Sequence, residues 1–504
     1  MSPCRLTSAL FASMAFLLVL SCGPGEPRRY PSELRTPYAN LILISIDTTR
    51  ADRLSLYGNA RPTTPELDRL SADSIVFDQA HSTAPSTAPS HMSMMTGWLP
   101  TAHGVMNFVH MPKAAGQRKG SGRLIRQTLP AGIPTLAERL QDEGYATAGF
   151  TGGGNTSKLL GFGRGFDTYD GGGQTGLDRT GRGDFGRAIE WIRKESEKRH
   201  PFFAFLHTYI PHSPYLPPPG FSGRYDPGYD GDMLTFDDVY GPDGKKPRGG
   251  TDKGFWKSVD RESLADQRQL LARYDEEIGY ADSLLGKLMR SFERFGLLED
   301  TLIVVTSDHG EEFNEHGGFM HHAKLWEELL HVPLVLRFPQ ARGGGRRIAA
   351  PVSLVDLSAT LLDALGVESA DPAPGESWLP RIEGHRPFRE GPIVGEFIRK
   401  SDRDEKTGKW APKSYLRSVQ LGRYKLVHRF YDGELGEELY DLEEDPGERR
   451  NRVYDKSLGA TLEKLRDVAA RVERESVSRR LPMAKGGAVG GRTEQQLREL
   501  GYIR

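Results

Sequence analysis

The fold class of this chain is decided by the stretch LILISIDTTR, residues 41–50. Its nearly continuous run of apolar, β-branched residues is typical of a parallel strand buried on both faces of a sheet. Similar strands are predicted at Phe202 to His207, Thr301 to Asp308 and Val332 to Phe338, with helical patterns between them. This alternation predicts an α/β fold, whose ligands would bind at the carboxyl ends of the strands.

Helices and one long connection are predicted between these strands. Apolar residues recur at spacings of three and four from Leu271 to Leu288, as in a helix that packs on a sheet. A second helix is predicted from about Leu354 to Leu365, with Gly366 as the residue that ends it. The stretch from Pro217 to Lys257 has neither helical nor strand periodicity, so it is predicted to be a long loop near the site, either a lid or a disordered segment.

The C-terminal part of the chain shows a different pattern. Strands predicted near Ile393 to Phe397, Ser414 to Leu421 and Tyr424 to Phe430 follow one another closely, which indicates a smaller antiparallel subdomain. We assign residues 381–455 to this subdomain and residues 456–504 to a charged, mostly helical tail.

Composition limits the classes of partner. The 504 residues are enough for one large α/β domain with an added subdomain, or for two domains of ordinary size. The formal net charge is -1, so no global field favours nucleic acid, and no nucleic-acid partner is expected. Nothing in the pattern specifies an oligomeric state.

The N-terminus is typical of an exported protein. A mostly apolar run from Ala9 to Leu20 is too short to cross a hydrocarbon layer of about 30 Å, so it predicts a signal peptide over residues 1–21. Residues 19–22, VLSC, resemble a bacterial lipobox, which predicts a lipid on Cys22 and a tether over residues 22–38. The expected location is therefore the bacterial cell envelope, on its periplasmic or extracellular face. The alternative is an ordinary signal peptide or a short anchor helix.

Cysteine usage excludes several kinds of site. The chain contains two cysteines, Cys4 and Cys22, and both belong to this N-terminal segment. The body of the protein therefore has no disulfide framework, no thiolate nucleophile and no zinc–cysteine cluster.

Acidic residues follow two of the predicted strands. Asp47 comes directly after the first, and Asp308 with His309 follows the strand that starts at Thr301. Carboxylates in adjacent loops repel each other unless a metal lies between them, so a cation site is one interpretation. The other is that each aspartate is a helix cap or a turn residue.

Five motifs in a fixed order resemble the sulfatase branch of the alkaline phosphatase superfamily. They are DTTRAD at 47–52, TAPSHMSMMTG at 87–97, PHSPY at 211–215, SDHGE at 307–311 and ELYDLEEDPGE at 438–448. The resemblance implies a doubly wound, mostly parallel sheet like that of alkaline phosphatase, in a catalytic domain over residues 39–380, and a smaller C-terminal antiparallel α+β subdomain.

The resemblance also implies a metal site. The family's ligands fall on Asp47, Asp308 and His309, with Thr87 as nucleophile and additional ligand. The family often has two consecutive acids in its first motif, but the second position here is Thr48, so a Ca²⁺ shell would lose one charge and need water instead. A divalent metal is expected: Ca²⁺ by resemblance, with Zn²⁺ or Mn²⁺ favoured by the imidazole.

Thr87 is the largest departure from the family pattern. The family nucleophile is a Cys or Ser oxidised to formylglycine, whereas oxidation of a threonine gives a ketone, and His91 replaces the Arg that the modifying machinery looks for. Formylglycine is therefore not expected. An unmodified Thr87 alkoxide would attack and form a covalent ester that water then breaks, which suits phosphoryl transfer better than sulfuryl transfer. The alternative is a turn residue in an inactive relative.

Four further histidines and a lysine complete the predicted site. His212 matches the family histidine that contacts the ester oxygens, and His207 is a second candidate for substrate binding. His322 falls where many sulfatases have a lysine and could act as a general acid, while Lys324 could supply the lost positive charge. His91 is counted among the catalytic candidates. The alternative for these histidines is a structural or an exposed loop position.

The residues together predict a metal-dependent hydrolase of sulfate or phosphate esters, with an anionic ester as substrate. A phosphodiesterase or a phosphotransferase of the same superfamily is the first alternative. The second is a catalytically silent, lipid-anchored binding protein, which the departures at Thr48, His91 and Ile210 favour. The cost of burying the retained polar residues without a metal argues against it.

Overall fold

The structure is a computed structural model that describes most of the chain. The described residues are 32–107, 128–171, 182–198, 200–241, 251–321, 323–368, 374–388, 391–403, 410–431 and 433–482. The predicted signal peptide, Cys22 and His322 lie outside them. In this described part, no helix combines the length and the apolar character that crossing a membrane requires.

Three sheets are formed by the described strands. The strands are β1 (Asn40–Ile46), β2 (Ile75–His81), β3 (Ala146–Thr151), β4 (Thr168–Gly171), β5 (Phe202–Thr208), β6 (Thr301–Thr306), β7 (Glu312–Phe313), β8 (Phe319–Met320), β9 (His331–Arg337), β10 (Arg346–Ile348), β11 (Val352–Ser353), β12 (Ile393–Arg403), β13 (Trp410–Leu421), β14 (Tyr424–Tyr431) and β15 (Glu434–Asp441). The central sheet has the order β10-β2-β9-β6-β1-β5-β3-β4, with β11 beside β2. Within it β9 pairs antiparallel with β2 and β6, while the other described pairings are parallel.

Helices cover both faces of the central sheet. The described helices are α1 (Pro65–Ser71), α2 (Thr87–Thr96), α3 (Pro100–His103), α4 (Leu136–Asp142), α5 (Arg182–Ser196), α6 (Phe236–Tyr240), α7 (Thr251–Lys257), α8 (Leu264–Phe295), α9 (Glu327–Leu330), α10 (Leu357–Ala364), α11 (Leu379–Ile382) and α12 (Gly459–Arg479). Ile42 and Ile44 of β1 pack in one core with α1, α5 and α8, while Leu41 and Leu43 pack in the opposite core with α4, α10 and α11. The predicted doubly wound α/β fold is confirmed, because a strand buried on both faces needs apolar residues at successive positions.

The two predicted helices are present with extended or shifted bounds. α8 is longer than its apolar stripe, since it begins after Ser263, whose side chain accepts from the Asp266 amide, and ends at Gly296. The helix predicted from Leu354 begins as a 3₁₀ turn and continues as α10, and Gly366 follows it with a φ of 70°.

The described parts of the stretch from Pro217 to Lys257, residues 217–241 and 251–257, are more ordered than predicted. They contain α6 and α7, and a capping box between Thr235 and Asp238 starts α6. They are held against α8, where Glu276 Oε1 accepts from the Arg224 amide at 2.6 Å. The expectation of a structureless loop is wrong here because short helices fixed by capping and tertiary contacts leave little periodicity in the sequence.

The C-terminal sheet has one strand more than predicted and a helix packed across it. The order is β12-β13-β14-β15, antiparallel throughout. Apolar residues of α12 are buried together with Val394, Val419, Leu426 and Leu439 of the sheet. α12 therefore packs on this sheet as part of the C-terminal subdomain, whereas the sequence placed it in a separate tail.

The described end of the predicted tether packs against the protein. Leu34 is buried, and Glu383 Oε1 accepts hydrogen bonds from Ser32 Oγ at 2.8 Å and from the Leu34 amide at 3.0 Å. Residues 32–38 thus belong to the folded body, which the Pro- and Gly-rich composition did not indicate.

Candidate active site

Parallel pairing brings the ends of three neighbouring strands to one edge. β1 lies between β5 and β6, and Ser45 of β1 is in register with His207 on one side and Thr306 on the other. Residues that follow β1 and β6 therefore emerge side by side. The Thr48 amide donates to Asp308 Oδ1 at 3.2 Å, which joins the two loops directly.

Asp47, Asp308 and His309 form a compact, fully buried group, called here the acid–histidine cluster. His309 Nε2 lies 3.6 Å from Asp47 Oδ1 and 3.4 Å from Asp308 Oδ2. All three side chains are 0% exposed. One potential ligand atom from each side chain lies within 4.8 Å of the other two, as in a metal site.

The hydrogen bonds of the acid–histidine cluster leave its inner atoms without protein partners. His309 Nδ1 donates to the carbonyl of Gly310 at 2.9 Å, so the Nε2 lone pair faces the acids. Both carboxylate oxygens of Asp47, Asp308 Oδ2 and His309 Nε2 have no hydrogen-bond partner. Burial raises the pKa of Asp47 to about 7. Buried charges without partners are costly unless a cation balances them, so these residues fit a divalent metal.

Thr48 has a strained backbone at the same place. Its φ is 52°, a conformation that β-branched residues rarely adopt and that costs about 1–3 kcal/mol. Its Oγ1 is buried without a hydrogen-bond partner. The bond from its amide to Asp308 holds this conformation, so the loop after β1 is shaped around the acid–histidine cluster.

Thr87 is the first residue of α2, and polar contacts fix that helix to the sheet edge. Ser90 Oγ donates to the Asp308 carbonyl at 2.5 Å, and His91 Nε2 hydrogen-bonds with Ser45 Oγ at 2.9 Å. Both anchors lie within one turn of Thr87, which is itself fully buried. The positive end of the helix dipole lies at Thr87 and stabilises negative charge there.

His91 is held as a neutral ring. Because a carbonyl only accepts, Nδ1 carries the proton that is donated to Thr87 O at 2.9 Å, and Nε2 then accepts from Ser45. Burial lowers the pKa of His91 to about 3. Both ring nitrogens are occupied, so this geometry lets His91 orient Thr87 rather than carry protons.

The remaining histidines lie along the same edge. His207 Nε2 is 3.5 Å from Asp47 Oδ2, and burial lowers the pKa of His207 to about 4. His212 donates from Nδ1 to the Ser213 carbonyl at 2.8 Å, and its ring centroid is 4.8 Å from that of His321. The His321 ring is in turn 4.5 Å from that of His309. His212 is thus connected to the acid–histidine cluster through His321.

His321 and Glu311 were not singled out from the sequence. His321 Nδ1 hydrogen-bonds with Glu311 Oε1 at 2.9 Å, and both side chains are buried. The available signals were the place of Glu311 in the SDHGE motif and of His321 beside His322. Local sequence favoured His322 by its position in the family pattern, and His322 lies outside the described residues.

Lys324 lies beside a different acid. Its Nζ forms an ion pair with Glu312 Oε1 at 3.1 Å and donates to the His316 carbonyl at 3.1 Å. These contacts hold the β7–β8 hairpin. These two contacts leave one N–H of the Lys324 ammonium group for the predicted role in substrate binding.

The acid–histidine cluster lies at the carboxyl edge of a doubly wound sheet, and the first turns of α2 are fixed against the same edge. The chain belongs to the sulfatase family. The family profile described as Sulfatase matches residues 39–367, and the one described as N-sulphoglucosamine sulphohydrolase, C-terminal, matches residues 314–475. The chain is accordingly a sulfatase-family hydrolase of sulfate or phosphate esters.

Curated relatives are similar over most of their length. A protein named Sulfatase from Formosa agariphila is 24% identical over an alignment of 497 positions, which covers 89% of this chain and 89% of the relative. N-acetylglucosamine-6-O-sulfatase from Bacteroides thetaiotaomicron is 25% identical, over 88% of this chain and 87% of the relative.

Solved structures share the fold. One, in complex with its substrate D-glucosamine-2-N,6-O-disulfate, has a TM-score of 0.68 and 21% identity over 88% of this chain and 98% of that chain. The phosphonate monoester hydrolase of Agrobacterium radiobacter has a TM-score of 0.64 and 23% identity over 86% of this chain and 96% of that chain.

Proposed function

We propose that this protein is a metal-dependent phosphate- or sulfate-ester hydrolase in which unmodified Thr87 is the nucleophile. The observation that carries the proposal is the set of unpartnered ligand atoms in the acid–histidine cluster, beside the first turn of α2. Such a cluster is unfavourable in a silent binding protein, because nothing would compensate for the buried acids.

Asp47, Asp308 and His309 would hold the metal, with Thr87 as a further ligand. A bound divalent cation would lower the pKa of the threonine hydroxyl and withdraw charge from the ester oxygen. Ca²⁺ is the ion suggested by the family, whereas the imidazole of His309 favours Zn²⁺ or Mn²⁺.

Thr87 would act in two displacements. Its oxygen forms a bond to the phosphorus or sulfur as the bond to the leaving oxygen breaks, and the leaving oxygen takes a proton. Water then attacks the covalent ester, and Thr87 leaves. We assign anion binding and the supply of that proton to His212 and His321, because the His321 ring adjoins those of His212 and His309, and we assign to His91 the positioning of the Thr87 backbone.

A phosphate ester is the favoured substrate. Thr87 cannot release a covalent sulfate by collapsing to an aldehyde, whereas a phosphothreonine is hydrolysed by attack at phosphorus. The names of two relatives mention amino sugars that carry sulfate, so an anionic sugar ester is the second candidate. Transfer to an alcohol instead of water would use the same covalent step.

Activity assays of the metal-saturated full chain with mono-aryl phosphate, bis-aryl phosphate and aryl sulfate distinguish between these substrate classes. Thr87→Ala should lower kcat by at least about 10³-fold, because the covalent step is lost. Thr83→Ala is a matched control, since Thr83 lies in the preceding copy of the same TAPS sequence and is also buried. Full activity of Thr87→Ala would overturn the proposed mechanism. Purified wild type that contains no divalent cation would overturn the proposed metal dependence.

We also propose that Cys22 carries a lipid that anchors the protein to the cell envelope, on the basis of the VLSC sequence. Labelled palmitate should enter the wild type and Cys4→Ala but not Cys22→Ala. Label retained in Cys22→Ala would contradict this.

A further inference from the structure

His207 is buried in the central sheet without a hydrogen bond at either ring nitrogen. It belongs to β5, beside β1, and is 0% exposed. Neither Nδ1 nor Nε2 has a hydrogen-bond partner. A buried polar atom left unpaired costs about 1–3 kcal/mol, so the position requires an explanation.

The nearest charged group is a member of the acid–histidine cluster. Asp47 Oδ2 lies 3.5 Å from His207 Nε2, whereas Asp47 Oδ1 faces His309 Nε2 at 3.6 Å. The Asp47 carboxylate is thus placed between two imidazoles, and none of the facing atoms has a hydrogen-bond partner.

His207 also belongs to a second group with metal-ligand spacing, formed with His91 and Asp308. His91 cannot coordinate in this arrangement, because its Nδ1 proton is donated to the Thr87 carbonyl and its Nε2 is hydrogen-bonded with Ser45. Without His91, the second group consists of His207 and Asp308. Since Asp308 is shared with the acid–histidine cluster, the two groups reduce to one centre.

We propose that His207 is a direct ligand of the metal, which adds a second imidazole to the site of Asp47, Asp308, His309 and Thr87. This inference rests on the proposed function, which requires a divalent cation at Asp47, Asp308 and His309. Three pairs of candidate ligand atoms lie 3.4–3.6 Å apart, with Asp47 facing His207 through Oδ2 and His309 through Oδ1. Metal bonds of about 2.0–2.2 Å at angles of roughly 90–110° place ligand atoms about 2.8–3.6 Å apart, which also leaves a position for Thr87 in a five-coordinate centre.

A second imidazole determines which metal the site prefers. Ca²⁺ takes oxygen ligands almost exclusively, whereas imidazole suits Zn²⁺ and other transition metals. With both His207 and His309 as ligands, we expect Zn²⁺ or Mn²⁺ to bind more tightly than Ca²⁺. The sequence analysis assigned His207 to substrate binding. Its position beside Asp47 depends on the register between β5 and β1, which the sequence does not specify.

Metal binding by the full chain tests this directly. Chelator-stripped wild type, His207→Gln and His103→Gln are titrated with Zn²⁺, Mn²⁺ and Ca²⁺, with Asp308→Asn as the non-binding reference. His103 is a matched control because it is a buried imidazole whose ring nitrogens are hydrogen-bonded within the protein. His207→Gln should lose more than about 100-fold in Zn²⁺ or Mn²⁺ affinity, beyond the 10–100-fold typical of outer-shell partners. His103→Gln should bind as the wild type does.

Direct coordination of the metal by His207 also gives spectroscopic signals that do not depend on the affinity measurement. Pulsed EPR of the Cu²⁺-loaded protein should detect two imidazoles in the wild type and one in His207→Gln. His207→Cys, in a body without other thiols, should give a thiolate-to-metal charge-transfer band with Cd²⁺, which a folded but uncoordinated cysteine would not. Two imidazoles in folded His207→Gln, or no band in folded His207→Cys, would overturn the proposal.

The metal titrations distinguish a failure of the proposed function from a failure of the assignment of His207 as a ligand. If the wild type binds no divalent cation, the proposed function fails together with this inference. If wild type and His207→Gln bind equally while Asp308→Asn does not, the metal-dependent function stands and His207 is not a ligand.

Discussion

The protein contains two clusters of buried charges that differ in how completely they are paired. The acid–histidine cluster has two acids, an imidazole and unpartnered inner atoms. The second, called here the lysine cluster, consists of Lys425, Glu327 and Glu448: Lys425 Nζ lies 2.8 Å from Glu327 Oε1 and 2.9 Å from Glu448 Oε1, and the Glu327 amide donates to Glu448 Oε2 at 2.7 Å. The lysine cluster contains an ammonium group that pairs with both of its acids, whereas the acid–histidine cluster has two acids and no cation of its own, so it requires one from outside.

The lysine cluster connects the C-terminal sheet to the active site. Lys425 belongs to β14, and Glu327 is the first residue of α9. Carbonyls of α9 accept hydrogen bonds from the Gly310 and Glu311 amides at 2.8 and 3.0 Å, directly after His309. The ELYDLEEDPGE motif therefore contributes Glu448 to the support of the loop that carries the candidate ligands.

The largest expected effect is on the acid–histidine cluster. Asp308→Asn should abolish metal binding and lower kcat at least about 10³-fold, and it should make the metal-free protein more stable, because one of two buried acids is neutralised. Wild type at a metal concentration about 1,000 times its Kd should gain roughly 4 kcal/mol that the variant does not gain. Thermal unfolding with and without chelator measures both, with the exposed Asp467→Asn as control. Wild-type metal affinity in Asp308→Asn would show that the unpartnered atoms have another cause.

A substitution in the lysine cluster should change the free energy of unfolding rather than metal binding. Lys425→Met leaves the buried Glu448 and the partly buried Glu327 without their ammonium counter-charge, which should lower the free energy of unfolding by about 3 kcal/mol while the metal stoichiometry is kept. Denaturant titration of the metal-saturated protein measures this, and Lys464→Met on the exposed face of α12 is the control. A loss below about 1 kcal/mol would mean that the clusters do not differ as described.

A smaller effect is expected in the pH dependence of the lysine cluster. Burial raises the pKa of Glu448 to about 7, above its usual value of 4.5. The folded protein thus keeps a proton that the unfolded chain loses, so this stabilisation is fully present below pH 4.5 and is lost as the pH rises through about 7. Between pH 5.5 and 7 the free energy of unfolding of wild type should fall by roughly 2 kcal/mol more than that of Glu448→Gln. Equal slopes in metal-saturated buffer would refute this assignment.

Much of the fold could be predicted from local patterns, and parts of it could not. The strands at 202–207 and 301–308 were predictable because each is a continuous apolar run. The helix α12 was placed in a separate tail, although its stripe of buried residues packs on β13 and β14. Charged residues on the exposed face of α12 dominate its composition. Its buried face can therefore be identified only from the sheet against which it packs.

By itself the sequence determined which side chains follow β1 and β6, because residues after parallel neighbouring strands meet at one edge of the sheet. That is why Asp47, Asp308 and His309 could be grouped before any coordinates. Tertiary structure decided which ring nitrogens are occupied and which face the acids. His91 and His207 look alike as sequence, but hydrogen bonds from separate elements fill both nitrogens of the first and neither of the second. Such bonds depend on strand register and helix docking, which no local pattern specifies.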